Sequence, residues 1–188
     1  MKLSDITKLR WTDIRSLIRR FPVESRVGLG VGAATILAFL FSGRSGTPPG
    51  MAASEHYIST LNVKIQSRAR QFIINAYRAG IDAVITSGTR GNPEQAQLYE
   101  QGRTTPGNIV TNAPPGTSWH NYGLAFDVAI LVNGKPTWPD NSNPVWQKLG
   151  AIGAKLGLEH GLSFGDAPHF DYHPNLTIAQ ARAGKTLA

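Results

Sequence analysis

The residues best suited to chemistry are a histidine and an aspartate seven positions apart. His120 stands in a polar segment, whereas Asp127 stands among apolar residues that predict a strand. A carboxylate in such a strand is energetically costly unless it is paired, hydrogen-bonded or bound to a metal. Gly123 lets the chain turn sharply before the strand. One imidazole nitrogen and one carboxylate oxygen suit Zn²⁺ at about 2.0–2.2 Å.

A second segment, residues 165–170, offers a third ligand and a base. His169 is the possible third ligand, and Asp166 precedes it by three residues across a turn that Pro168 stiffens. Asp166 is therefore placed to lean over a metal rather than to bind it. Three protein ligands and a water are the arrangement of a catalytic zinc site, because the fourth position stays open. The metal makes the water more acidic, and a nearby carboxylate moves its proton to the leaving amine.

Other interpretations of these residues stay open. His120 and Asp127 could form an ordinary hydrogen-bonded pair. A nucleophilic Ser118 with His120 as its base is disfavoured, because residues two apart in an extended chain do not give the nucleophile–base–orienter geometry. Two later residues compete with His169 as the third ligand, namely Asp171 and His173.

Together the two segments resemble a known group of enzymes. Ser118-x-His120-x-x-Gly123-x-Ala125-x-Asp127 resembles in full the S-x-H-x-x-G-x-A-x-D signature of the D-Ala-D-Ala peptidase and hedgehog-type metallopeptidases. Asp166-x-x-His169-Phe170 resembles their second element. Upstream, residues 87–90 (SGTR), Gln95 and residues 98–104 (LYEQGRT) resemble the branch called L-alanyl-D-glutamate endopeptidases, found in phage endolysins and bacterial cell-wall hydrolases. The resemblance covers residues 58–174.

The resemblance implies a role for each matched residue. The zinc ligands that it implies are His120, Asp127 and His169. Asp166 becomes the general base and acid. Arg90 would polarise the scissile carbonyl or its oxyanion, since a fixed guanidinium can stabilise charge that develops in the transition state. Gln95 and Ser118 would hold substrate or support the metal ligands.

The amino-acid composition excludes several kinds of catalytic site and argues against one class of partner. The chain has 188 residues, enough for one compact domain with an appendage. It has no cysteine, which excludes disulfides, a cysteine nucleophile and cysteine-ligated metals. Residues 1–50 contain eight basic and three acidic residues, whereas residues 51–188 contain 11 basic and 9 acidic residues. Because the basic excess lies beside an apolar run and not over the larger part of the chain, we expect no nucleic-acid partner.

The N-terminal part predicts an anchor ahead of the catalytic domain. Residues 1–26 are a basic segment, residues 27–43 an apolar helix, residues 44–53 a Gly/Pro linker and residues 54–188 the zinc peptidase domain. The uncharged run 27–41 reaches about 22 Å as a helix, short of a hydrocarbon core of about 30 Å. We expect an uncleaved, weakly held signal-anchor, with a cleaved signal or a helix packed in a larger assembly as alternatives.

Hydrophobic periodicity predicts an α+β fold. The predicted elements are a long helix (55–79), a strand (81–87), a helix (93–101), a strand (124–132) with a hairpin turn at 133–134, a helix (143–156) and a weak helix from residue 177. Short apolar pieces around residues 158 and 169–172 would complete a sheet. The sequence thus predicts a small, mostly antiparallel sheet flanked by helices, preceded by the N-terminal apolar helix.

The resemblance implies zinc-dependent hydrolysis of the peptidoglycan stem peptide at the L-Ala–D-Glu bond. The alternatives are a D-Ala-D-Ala carboxypeptidase, or a structural or peptidoglycan-binding component of a virion or phage tail. The predicted partners are stem peptides, the membrane through residues 27–43, and phage virion or tail proteins. The predicted location is the inner membrane, with a cytoplasmic N-terminus and the catalytic domain on the wall side, or alternatively the virion.

Overall fold

The centre of the fold is a sheet of five short strands. These are β1 (Ala83–Ser87), β2 (Ala125–Val132), β3 (Lys135–Thr137), β4 (Glu159–His160) and β5 (His169–Asp171). The strand order is β1–β2–β5–β4, with β3 paired to β2, and every pairing is antiparallel. This computed structural model describes residues 43–187, and the predicted basic segment and all of the predicted apolar helix except Gly43 lie outside them.

The β2–β5 pair separates the hydrophobic core from the polar site. Side chains alternate between the two faces of a strand, so the cross-strand pair Phe126–Phe170 and the adjacent pair Asp127–His169 lie on opposite faces. On the core face, Phe72 packs against both phenylalanines, with ring centroids 5.7 and 4.6 Å away. The polar pair is therefore fixed by a packed core directly behind it.

Helices cover the core face and the edges of the sheet. They are α1 (Met51–Ile58), α2 (Val63–Arg78), α3 (Asn92–Glu100), α4 (Pro144–Ala154) and α5 (Ile178–Arg182), with 3₁₀ turns at Trp119–Tyr122 and Gly161–Phe164. The apolar stripe of α2 is fully buried and comprises Ile65, Ala69, Phe72, Ile73 and Ala76. The predicted α+β class and antiparallel sheet are confirmed. Within residues 43–187 we find no helix long and apolar enough to cross a bilayer.

The single long helix predicted over residues 55–79 is wrong, because the chain breaks between α1 and α2. Asn62 is extended and its side chain accepts a hydrogen bond from the Lys64 amide, which starts a new helix. The Asn62 amide donates to the Gly123 carbonyl at 2.9 Å. Apolar spacing runs through the break because Ile58 and Leu61 both face the same core, so periodicity alone could not reveal it.

The second half of the predicted linker, residues 44–53, already packs against the folded domain. Helix α1 begins at Met51, and Pro48 and Gly50 are already buried. A Cβ on Gly50 would lie 2.1 Å from the Ala83 carbonyl oxygen, so this segment passes directly against β1. Ser54 then accepts a hydrogen bond from the Ile85 amide at 2.9 Å. Small residues stand here because the backbone approaches the sheet closely.

Candidate metal centre

Three side chains converge on one point at the polar face of the sheet. His120 Nε2, Asp127 Oδ1 and His169 Nδ1 form a triangle with edges of 3.2, 3.2 and 3.3 Å. Ligand atoms about 2.0–2.2 Å from a tetrahedral Zn²⁺ would lie about 3.3–3.6 Å apart. The predicted ligands thus share one centre, with a spacing close to the one that a single ion requires.

A capped 3₁₀ turn positions His120 at this centre. His120 lies in the 3₁₀ turn Trp119–Tyr122, whose first amides are capped by the Ser118 side chain. The turn ends at Gly123, which has a positive φ of 66°. A Cβ there would lie 2.8 Å from the Asn62 amide nitrogen. Ser118 and Gly123 of the motif therefore shape the turn between the ligand His120 and strand β2. The predicted contact of Ser118 with substrate stays a prediction.

Outer hydrogen bonds orient both imidazoles. The Nδ1 of His120 lies 2.7 Å from the Gly88 carbonyl oxygen, which can only accept, so this nitrogen carries the proton. The Nε2 of His169 lies 3.0 Å from a carboxylate oxygen of buried Asp171. Each ring thus presents its other nitrogen to the centre, the arrangement in which an outer partner fixes the tautomer of a metal ligand.

The centre requires a positive charge. With both imidazoles neutral, three lone pairs would face one another across 3.2–3.3 Å. Burial alone would lower the pKa of His169, but its hydrogen bonds to Asp127 and Asp171 raise that pKa to about 9. Burial alone would raise the pKa of Asp127, yet the two histidines hold it well below its usual value. The donor set therefore takes up a proton where no metal is bound, and a divalent cation fits the same position.

Arg90 is in direct contact with the carboxylate ligand Asp127. Its guanidinium donates to Asp127 Oδ2 at 3.0 Å, to Ser87 Oγ at 3.2 Å and to Gln95 Oε1 at 3.1 Å. Gln95 is fully buried, and its amide donates to the Ala113 carbonyl at 2.7 Å. The sequence motif thus places Arg90 at the metal centre and Gln95 behind Arg90. Within residues 43–187, the hydrogen bonds of the Gln95 side chain do not include a metal ligand, and its predicted contact with substrate stays a prediction.

Asp166 belongs to the turn that precedes the third ligand. Its amide donates to the Gly161 carbonyl at 2.9 Å, and its carbonyl accepts from the His169 amide at 3.2 Å. The residue is exposed at the surface, but partial desolvation and then the charge of Asp127 raise the pKa of its carboxyl group. A carboxyl group with a raised pKa beside a metal centre is suited to accept a proton and give it back.

Two supports of the centre are not predicted as such from the sequence. Asp171 is predicted only as a rival ligand, yet it is the hydrogen-bond partner of His169, and Gly88 is only one residue of the SGTR motif. The alternation of His169, Phe170 and Asp171 along a strand was the signal for Asp171, because residues two apart share a face. For the Gly88 carbonyl there was no local signal, since backbone oxygens are present at every position.

Comparison with known proteins places the chain among peptidoglycan peptidases. The Bacillus subtilis peptidoglycan L-alanyl-D-glutamate endopeptidase CwlK is 40% identical over 127 residues, which are 62% of this chain and 76% of that protein. Two solved structures are more distant. The Serratia marcescens L-Ala D-Glu endopeptidase ChiX is 18% identical, with a TM-score of 0.49 over 70% of this chain and 92% of its own. The vancomycin-resistance D,D-pentapeptidase VanY from a VanB-type cassette, a complex with Zn(II), is 16% identical, with a TM-score of 0.48 over 65% of this chain and 78% of its own.

A family assignment follows from the extent of the match. The VanY family, described as D-alanyl-D-alanine carboxypeptidase, matches residues 58–172, which contain the whole metal centre. The predicted membership of the D-Ala-D-Ala peptidase superfamily and the predicted hydrolase activity are therefore confirmed. The chain belongs to the VanY family of peptidoglycan peptidases.

Proposed function

We propose that this chain is a zinc-dependent endopeptidase that cleaves the L-Ala–D-Glu bond of the peptidoglycan stem peptide. The observation that carries the proposal is the triangle of His120, Asp127 and His169, with edges of 3.2–3.3 Å and a carboxyl group of raised pKa beside it. The choice of bond is supported by the relative CwlK, which is 40% identical and named for this cleavage.

The donor set favours zinc among the common divalent cations. Two imidazole nitrogens and one carboxylate oxygen suit Zn²⁺, whereas Mg²⁺ and Ca²⁺ prefer oxygen ligands alone. A zinc ion bound here supplies Lewis-acid polarisation of the scissile carbonyl and a more acidic water. His120, Asp127 and His169 would hold the ion, and the Gly88 carbonyl and Asp171 keep the two imidazoles turned towards it.

Asp166 is proposed to move the proton in the reaction. Its carboxylate accepts a proton from the attacking water and returns it to the leaving amine of D-Glu. The same group can act in both directions because desolvation and the charge of Asp127 raise its pKa. Asp166 is not one of the three converging ligands, so its loss should leave the metal centre assembled.

Arg90 is proposed to stabilise negative charge on the carbonyl oxygen during attack. The guanidinium is mostly buried, with 11% of its side chain exposed, and three side chains fix its orientation. A cation held rigidly in a partly dry site stabilises developing charge without reorganising. Gln95 supports this role by fixing Arg90 from behind.

A second candidate activity is D-Ala-D-Ala carboxypeptidase. It is favoured by the description of the family that matches residues 58–172. The two activities share the metal chemistry and differ in which bond of the stem peptide is cleaved at the centre. The reaction products therefore distinguish the endopeptidase from the carboxypeptidase.

Digestion of purified sacculi tests the proposal. We expect the full chain to release fragments with new amino termini on D-Glu, found by mass spectrometry, and a chelator to abolish the release. His120→Ala should be inactive, whereas His56→Ala, which removes an exposed imidazole, should retain activity. Release of free D-Ala without new D-Glu termini would favour the carboxypeptidase, and no metal-dependent product would refute both.

We further propose that the enzyme acts on the wall side of the inner membrane, held by residues 27–43. This location is supported by the uncharged run and the basic residues before it, and by a substrate that lies outside the membrane. Packing of the same segment in a virion or tail is the alternative. Cell fractionation tests the anchor: recovery of the full chain in the soluble fraction, without membrane or virion, would contradict both.

A further inference from the structure

A second group of ligand-type side chains lies on the same face of the sheet. Glu159, Asp171 and His173 each point one donor atom into a common region, with all of these atoms within 4.8 Å of one another. His173 Nε2 lies 3.1 Å from Asp171 Oδ1 and 3.5 Å from Glu159 Oε1. We call these three residues the second cluster.

Strand pairing explains why the second cluster forms. Glu159 on β4 and Ala125 on β2 are the cross-strand partners of Asp171 on β5. Because opposed residues share a face, Glu159 stands beside Asp171, on the face that also carries the first centre. His173 follows Asp171 by two residues and closes the group from the end of the strand.

One buried oxygen of this cluster has no hydrogen-bond partner among residues 43–187. Asp171 is 4% exposed, and its Oδ2 faces His169, but its Oδ1 makes no hydrogen bond within the described part of the chain. The nearby His173 Nε2, at 3.1 Å, does not align as a donor. A buried carboxylate oxygen without a partner is costly, so this atom points to a ligand that satisfies it.

Two contacts hold the ring of His173 in place. Its ring stacks on Trp119, with centroids 4.0 Å apart and planes 13° apart. Its Nδ1 lies 3.3 Å from the Leu176 carbonyl oxygen, which can only accept. Nδ1 therefore carries a proton, and in the neutral ring Nε2 has the lone pair and lies 3.1 Å from Asp171 Oδ1 and 3.5 Å from Glu159 Oε1.

We propose that Glu159, Asp171 and His173 bind a second divalent transition-metal ion, of which Zn²⁺ is the probe of choice. Two carboxylate oxygens and one imidazole nitrogen form a donor set that such ions accept. The ion satisfies the orphaned Asp171 oxygen and neutralises two carboxylates that lie close together. Open coordination positions are filled by solvent, because Glu159 reaches the surface with 68% of its side chain exposed.

The second ion is coupled to the first centre through one side chain. Asp171 faces the second cluster with Oδ1 and accepts from the first-centre ligand His169 with Oδ2. An ion on Oδ1 fixes the carboxylate that orients His169. The second ion is therefore a positioning device for the catalytic metal, and it does not depend on which peptide bond the enzyme cleaves.

Metal stoichiometry tests the proposal independently of hydrolysis. The full chain is stripped with chelator, dialysed against low micromolar Zn²⁺ and analysed for bound zinc by mass spectrometry. We expect two ions per wild-type chain and one per chain for both Glu159→Gln and His173→Gln. Glu159 is exposed, so its variant should fold normally. His120→Ala should retain the second-cluster ion.

Matched controls remove the same groups elsewhere. Glu94→Gln and His56→Gln each lose an exposed carboxylate or imidazole, and both should bind two ions. One ion in the wild type would overturn the proposal. Two ions in either Glu159→Gln or His173→Gln would overturn it as well. An inactive enzyme that binds two ions would overturn the proposed hydrolysis but not this site.

Discussion

Asp127 and His169 stand directly opposite each other in the antiparallel β2–β5 pair, and their side chains meet at 3.3 Å. Strand register, not loop conformation, therefore sets the distance between two of the three ligands. A slip by one residue would turn one of them to the core face. The phenylalanine pair behind them, Phe126 and Phe170, opposes such a slip because it is fully buried.

Gly123→Ala should destabilise the fold more than a matched glycine change. Gly123 and Gly134 both have positive φ, but only at Gly123 would a Cβ meet backbone, 2.8 Å from the Asn62 nitrogen. We expect Gly134→Ala to cost about 1 kcal/mol from conformational strain, and Gly123→Ala to cost about 1–3 kcal/mol more. Urea unfolding of the metal-free chains measures both. Equal losses would contradict the close approach.

Asp166→Asn should separate hydrolysis from metal binding. The variant keeps all three ligands but cannot accept the proton, so we expect kcat to fall by about 10²–10⁴ while bound zinc at the first centre is unchanged. His120→Ala should lose both. Asp140→Asn, a change at an exposed turn, is the control and should match the wild type. Wild-type turnover by Asp166→Asn would remove its assignment as base.

Arg90→Lys should lower kcat without removing the metal. Lysine keeps the charge but cannot reach Asp127, Ser87 and Gln95 with one planar group. If Arg90 stabilises the transition state, kcat falls by about 10²–10³ and zinc affinity changes little. A parallel fall of zinc affinity and kcat would instead give Arg90 only the role of orienting Asp127. Zinc titration and steady-state kinetics on one preparation distinguish the two.

The metal-free chain should lose stability as the solution becomes alkaline. The folded pKa of His169, about 9, lies above its ordinary value of 6.5, so the bound proton stabilises the folded state fully below pH 6.5. That stabilisation is lost as the pH rises through 9. Asp127, with its lowered pKa, acts only in acid and does not affect this window. Unfolding experiments between pH 6 and 10 should show the decline, and His169→Gln should flatten it.

The same proton should leave when zinc binds. Between pH 6.5 and 9 the metal must displace the proton on His169, and metal binding is therefore coupled to proton release. Calorimetry at pH 7.5 in buffers of different ionisation enthalpy should show release of about one proton with the first zinc ion. Identical heats in all buffers would contradict the raised pKa.

The sequence predicted the first centre well because its ligands belong to local patterns. His120 and Asp127 lie in one short motif, and the turn between them needs a glycine. The hairpin at Asn133 and Gly134 was predicted for the same reason and is confirmed by their positive φ values. Structural features whose residues lie close together in the chain, such as a motif or a tight turn, can be identified from sequence.

Features that depend on pairing between distant segments could not be predicted. The Asp171–Glu159 neighbourhood exists only through the register of β4 and β5. The break before α2 follows from the contact of Asn62 with Gly123, 61 positions later in the chain. The apolar residues on both sides of that break pack into the same core, so their spacing in the sequence resembles that of one continuous helix.

The most direct measurement of the central claim is anomalous scattering at the zinc edge from crystals of the zinc-loaded full chain. We predict a peak about 2.0–2.2 Å from His120 Nε2, Asp127 Oδ1 and His169 Nδ1. Absence of a peak among these three atoms, in crystals of protein that cleaves sacculi, would contradict the account.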